Sequence, residues 1–147
     1  MSSKYVRETI NQYLDDNSTE TFIDISGEYR ELLDLVTDNG VTVDDNWVGV
    51  QFSASSEEPI SIQAKCYREF GIILMHVVAP VGPNVIYTNI IDRAETLMGI
   101  FRGKRIGEIV IESIKHMNTE RSTRFKFDKR FTSGTFFVNY YRDLKGA

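Results

Sequence analysis

The chain has 147 residues, 41% of them hydrophobic, with a formal net charge of −4 and a single cysteine. That is the length and apolar content of one ordinary domain with its own core, and it excludes a disordered, collagen-like or low-complexity chain. Cys66 alone excludes an internal disulfide and a thiolate-built metal site, in keeping with a reducing cytoplasm.

The first ten residues, MSSKYVRETI, are polar and lack the apolar stretch of a signal peptide. From Ser3 to about Asp15, Tyr5, Val6, Thr9, Ile10, Tyr13 and Leu14 recur at the spacing of one helical face, with Ser2 or Ser3 available as a cap. This predicts an amphipathic first helix, stopped by DDNST, whose side chains compete for the backbone. A short extended piece, TFIDI, follows. SGEYRELLDLVTDNG predicts a second helix, with Tyr29, Leu32, Leu33 and Val36 on one face, Glu31, Asp34 and Asp38 on the other, and Asn39-Gly40 as its stop.

In WVGVQFSAS, Val48, Val50 and Phe52 alternate with Gly49, Gln51 and Ser53, the pattern of a half-buried strand. Ile60, Ile62 and Ala64 alternate next, and the run from Phe70 to Val78 is apolar on both parities, which predicts a central strand buried on both faces. The longest apolar run, GIILMHVVAPV, is far short of a membrane span and is closed by Pro80 and Pro83. From Asn84 to Arg102, Ile86, Ile90, Ala94, Leu97 and Phe101 mark the clearest helix. A strand is expected from Ile109 to about Lys115, and TRFKFDKRF and TFFVNYYRDL, joined at TSG, read as a hairpin over 123–142. The order α, short β, α, β-β-β, long α, β-β-β predicts a single α+β domain, mainly antiparallel, with helices packed on one face.

Charge is unevenly spread. Residues 1–46 hold 11 acidic against 3 basic side chains, a net of −8, whereas residues 101–147 hold 5 against 11, a net of +6. Either the two ends pair inside one fold, or an acidic surface of one copy meets a basic surface of the next in a ring or stack.

The densest basic segment is GIFRGKRIG, residues 99–107. It is not a phosphate loop, because Arg105 stands where the magnesium-binding hydroxyl belongs and the segment follows a helix instead of preceding one. Gly103 is expected as a left-handed helix cap, leaving Arg102, Lys104 and Arg105 as an exposed basic loop. His76 falls in an apolar strand and reads as a satisfied core histidine, and His116 lies near a loop; neither has ligands at metal spacing. Ser133 sits in the expected hairpin turn and lacks the nucleophile-elbow pattern. The acidic pairs Asp15-Asp16, Asp44-Asp45 and Glu57-Glu58 read as solvated loops. With no base, nucleophile and oxyanion stabiliser assembled by spacing, the expectation is a protein without catalysis and without cofactor or metal. A nucleic-acid module is the weaker alternative: in 123–131 the phenylalanines and the cations alternate onto opposite faces, which separates stacking rings from phosphate contacts.

One segment order also resembles a known family. NWVGVQF, EFGIILMHVVAPVG and IIDRAETLMGIFRGKRIG leading into IVIESI, over roughly residues 47–142 plus the first helix, resemble the tail terminator proteins of long-tailed phages. The resemblance implies a small α+β subunit forming a hexameric ring at the head-proximal end of the virion tail. Such a ring stops tube polymerisation and meets the head-completion proteins; its partners are its own copies, the tail tube protein and a neck protein. Made in the host cytoplasm, it has no membrane partner, and nucleic acid only passes through its lumen. Phe101, Arg102, Lys104 and Arg105 match the family's basic loop, and Phe136, Val138 and Tyr140 its terminal strand, so these seven are the expected interface residues. The acidic stretch at about 20–46 departs from the family pattern and is expected to touch a neighbouring subunit or a neck protein. A head-completion or neck connector is the alternative within the same virion context.

Overall fold

Two 15-residue strands, β4 (Cys66–Pro80) and β7 (Phe131–Lys145), form the spine of the molecule and pair antiparallel along their whole length. At about 3.3 Å per residue each spans about 50 Å. The structure, a computed structural model, describes residues 4–26, 37–40, 45–53, 56–59, 66–80, 87–116 and 131–145. The other described elements are α1 (Lys4–Asn17), β1 (Phe22–Asp24), β2 (Trp47–Phe52), β3 (Ser56–Pro59), α2 (Tyr87–Phe101), β5 (Arg105–Ile106) and β6 (Ile109–His116). The sheet runs β1-β2-β4-β7-β6-β5, with β3 on the lower part of β4; only β1 and β2 pair in parallel. The class is α+β with a mainly antiparallel sheet, as expected.

Both described helices lie on one face. Val6, Ile10 and Leu14, at i, i+4 and i+8, are fully buried along α1, and Ile90, Leu97, Met98 and Phe101 along α2. They share one core with Val48, Val50 and Phe52 of β2, Ile73, Met75, Val77 and Ala79 of β4, Ile109 and Ile111 of β6, and Phe136, Val138 and Tyr140 of β7. Each such fully buried aliphatic or aromatic side chain contributes about 1.5–3 kcal/mol before the conformational entropy lost on folding is subtracted. The first helix runs two residues beyond the expected Asp15, because the Asn17 side chain donates to the Tyr13 carbonyl (2.9 Å) and so satisfies one of the last-turn acceptors.

The opposite face divides into two halves. Its upper half is buried, with Ile23, Ile25, Trp47 and Val78 beside the polar residues His76, Ser133 and Thr135. Its lower half is open: Phe70, Leu74, Phe137 and Tyr141 are half-buried, and Ile72 is 37% exposed. The β4–β7 register places these on one face, with Phe70 opposite Tyr141, Ile72 opposite Asn139 and Leu74 opposite Phe137.

Several expectations change. TSG is no turn: Thr132, Ser133 and Gly134 are strand residues paired with Ala79, Val78 and Val77, so β7 is continuous where the 123–142 hairpin was expected to reverse. Its β-branched and aromatic neighbours, together with a full-length partner in β4, override the local turn signal. β2 is buried on both parities except at Gln51, since it crosses the buried upper half of the second face. β4 is buried on both faces only from Met75 to Ala79 and alternates below. Glu57 and Glu58 lie in β3, a fully exposed strand instead of a loop. The expected second helix mostly falls outside the described residues, as do Ile60, Ile62, Ala64, Ile86 and the stretch 117–130.

Candidate functional site, a basic corner on an ordered hairpin

α2 ends at Phe101, which is fully buried and 5.9 Å from the Tyr13 ring centroid. The Tyr13 hydroxyl donates to the Ile100 carbonyl, fastening this end of α2 to α1, and burial raises the phenol pKa. Arg102 N–H still bonds the Met98 carbonyl (3.1 Å), Gly103 turns at φ 63°, and Lys104 N–H returns to the Phe101 carbonyl (3.2 Å). This is the expected left-handed cap.

The rest of the motif is more ordered than a loop. Arg105 and Ile106 form β5, which folds back on β6 through Gly107 and Glu108, with Ile106 opposite Ile109. Gly107 has φ 59°, and a Cβ there would lie 2.6 Å from the Tyr5 hydroxyl, so both backbone and space call for glycine. The same hydroxyl accepts the Glu108 N–H (3.1 Å). The Arg142 guanidinium lies 4.3 Å from the Tyr5 ring centroid, and its Nε is 3.6 Å from the Glu108 carboxylate. Helix α1, the hairpin and β7 are thus locked together at one corner.

On this base Arg102, Lys104 and Arg105 are all exposed. None makes an ion pair with a carboxylate of a described residue; Arg105 donates to the Gly107 carbonyl (3.2 Å) within its own hairpin and acts on Asp143 at longer range. Beside them runs a groove of about 480 Å³, floored by Val110, Tyr141 and Leu144 and edged by Arg105 and Asp143. Asp143 is engaged bidentately by Arg68 (2.7 and 3.2 Å), which also covers the Tyr141 ring at 4.2 Å. The hydrogen bond from Arg68 holds the Asp143 carboxyl below its usual pKa and raises that of the guanidinium.

The other expected interface residues belong to the core. Phe101, Phe136, Val138 and Tyr140 are at most 2% exposed and point toward the helices. Their β7 neighbours Phe137, Asn139 and Tyr141 are the ones on the open face. The acidic stretch at 20–46 is likewise partly spent inside the fold. Glu20 receives both Nε (2.8 Å) and Nη2 (2.7 Å) of Arg93, whose Nη1 also reaches the Val78 carbonyl (3.0 Å). Asp24 accepts from Arg7 (3.1 Å) and from the Ser26 amide (2.9 Å). Sequence reasoning missed the Arg93 clamp, although a cation at the i+3 position from buried Ile90 was a usable signal that a carboxylate waited opposite.

His76 is 1% exposed and bridges Thr135 Oγ1 (2.9 Å) and Gln51 Oε1 (3.1 Å), as expected for a core histidine. His116 ends β6. Ser133 is 1% exposed, and its hydroxyl finds no partner, hence no general base, among the described residues. No group of three or more His, Cys, Asp or Glu side chains converges on a metal position among the described residues. Neither protein-family models nor curated proteins gave a match to this sequence.

Proposed function

We propose that this chain is a structural assembly subunit of the tail-terminator type. In this reading copies form a ring at the head-proximal end of a phage tail tube, stop its growth and present a surface to the neck. The single observation that carries it is the corner after α2: three cations held on a braced cap and hairpin, exposed and without carboxylate partners among the described residues, in a protein of net charge −4. Charges held in place but outside the ion pairs of the described residues are suited to an acidic protein surface, where they steer encounter and select register. The order of elements from β2 through α2 to β6 agrees with the segment order on which the resemblance rests. No catalytic step belongs to this reading.

The charge asymmetry adds support. The ion pairs given above join Glu20 to Arg93, Asp24 to Arg7, Asp143 to Arg68 and Glu108 to Arg142; none spends the basic corner on the acidic N-terminal part. Reversing Arg102, Lys104 and Arg105 to Glu tests the proposal. The expected result is a folded domain whose association with its own copies and with tail tubes is lost or becomes insensitive to salt. Unchanged oligomer size and salt sensitivity in sedimentation would count against it.

A further inference from the structure

One row of paired residues crosses the lower half of the sheet from edge to edge: Ser56 of β3, Phe70 of β4, Tyr141 of β7, Val110 of β6 and Arg105 of β5. Each pairing along it is antiparallel, so the two edge strands, β3 and β5, run in the same direction. Among the described residues each of them is paired on one side only, β3 with β4 and β5 with β6. β3 is the one described strand in which every residue is exposed. Beside Ile106 a shallow groove of about 540 Å³, bordered by Glu8 and Asp16 of α1, leaves the flank of β5 open as well.

The two edges carry opposite charge. β3 holds Glu57 and Glu58, and β5 with the residue before it holds Arg105 and Lys104; all four are exposed, and none is in an ion pair among the described residues. The charges around them are engaged elsewhere. Arg68, opposite Glu58, covers the Tyr141 ring and is turned to Asp143, with Glu112 also acting on it; Glu69, opposite Glu57, is buried. At the other edge Glu108 lies against Arg142, Glu8 against Lys4, and Asp16 accepts from Gln12.

Side-chain parity matches this charge pattern. Glu58 shares the open face with Arg68, and Arg105 shares it with Val110 and Tyr141, whereas Glu57 and Glu69 are on the helix side. Two like edges cannot meet without setting carboxylate against carboxylate or cation against cation. The charges that guard each edge therefore leave only the mixed pairing open.

We infer that β3 of one copy lies parallel to β5 of a second copy, with Glu58 beside Arg105 on the open face and Glu57 beside Lys104 on the helix side. The joined edges are different surfaces, so the contact is heterologous and repeats head to tail, with the helices of every copy on the same side of the sheet. Because Arg105 shares its row with Ser56, setting it beside Glu58 staggers successive copies by two residues, about 7 Å along the strands. The contact names the acidic surface that the proposed assembly requires. Closure into a ring rests on the tail-terminator reading; the pairwise contact does not.

The test uses three full-length variants changed only at exposed positions: Glu57→Lys with Glu58→Lys, Lys104→Glu with Arg105→Glu, and all four substitutions together. In sedimentation velocity at low salt, each double variant alone is expected to self-associate at least roughly tenfold more weakly than wild type, since like charges then meet. An equimolar mixture of the two is expected to recover association as 1:1 assemblies, and the fourfold variant to recover it alone, because each restores a carboxylate opposite a cation. The inference is overturned if wild type is monomeric at every concentration, if either double variant assembles like wild type, or if the mixture or the fourfold variant stays as weak as the double variants. Recovery by charge exchange in a protein that never caps tail tubes would sink the tail-terminator reading and leave this contact standing. Tube-capping rings that are lost on reversal of the corner but untouched by the β3 substitutions would do the reverse.

Discussion

Phe136 and Phe137 are adjacent on one strand, yet they belong to different chemical worlds. The first is 2% exposed beneath the helices, and the second is half-open on a face that no described helix covers. The same holds for Val138 against Asn139 and Tyr140 against Tyr141. One side of the sheet is committed to holding the domain together, and the lower half of the other side carries little of that load. The core and the open surface can therefore be altered separately, residue by residue, along a single strand.

The strongest way to break the comparison is a charge on each side. Val138→Asp places an uncompensated carboxylate in the core and is expected to cost more than about 4 kcal/mol, enough to abolish cooperative folding in many domains. Asn139→Asp, one residue on, is expected to change stability by less than about 0.5 kcal/mol. Denaturation followed by the emission of Trp47, which is fully buried, reads both. Truncation sharpens the same contrast: Phe136→Ala should cost about 3–5 kcal/mol, and Phe137→Ala no more than about 1–2 kcal/mol.

Next in size is the Arg93 clamp. Its side chain and that of Glu20 are 15% and 21% exposed, so Arg93→Met, which strands the carboxylate and the carbonyls of Val78 (3.0 Å) and Trp47 (3.4 Å), is expected to cost about 2–3 kcal/mol. Arg93→Lys should recover only part of this, because an ammonium cannot reproduce the fork. The smallest effect is that of Arg68 and Asp143. Asp143 has a lowered pKa in the fold, so its stabilising contribution is complete above the ordinary carboxylate range and fades as pH falls through the lowered value. An acid titration of stability should therefore show a slightly steeper loss below the ordinary carboxylate range for wild type than for Asp143→Asn.

The fold class was legible because long elements carry unambiguous periods. Val6, Ile10 and Leu14 mark one face of a helix, and the run Phe70–Val78 marks a strand, although burial on both faces begins only at Met75. The parity of β7 was not legible. In TFFVNYYRDL both parities are apolar or aromatic, and which of them meets the helices depends on the register with β4, a long-range property. TSG misled for a related reason: local turn chemistry lost to fifteen paired residues. At the basic corner the glycine cap after α2 was readable from local rules. The two-residue hairpin at Gly107 was not, since its anchor is Tyr5, about a hundred residues earlier in the chain.

The central claim is that the exposed basic corner belongs to a subunit that assembles with its own copies on a tail tube. Native mass measurement of the purified chain, alone and after addition of tail tubes, followed by electron microscopy of the tube ends, tests it most directly. The account predicts a multi-copy ring seated on one end of the tubes, lost when Arg102, Lys104 and Arg105 are all changed to Glu. A strict monomer that never associates with tubes would contradict it.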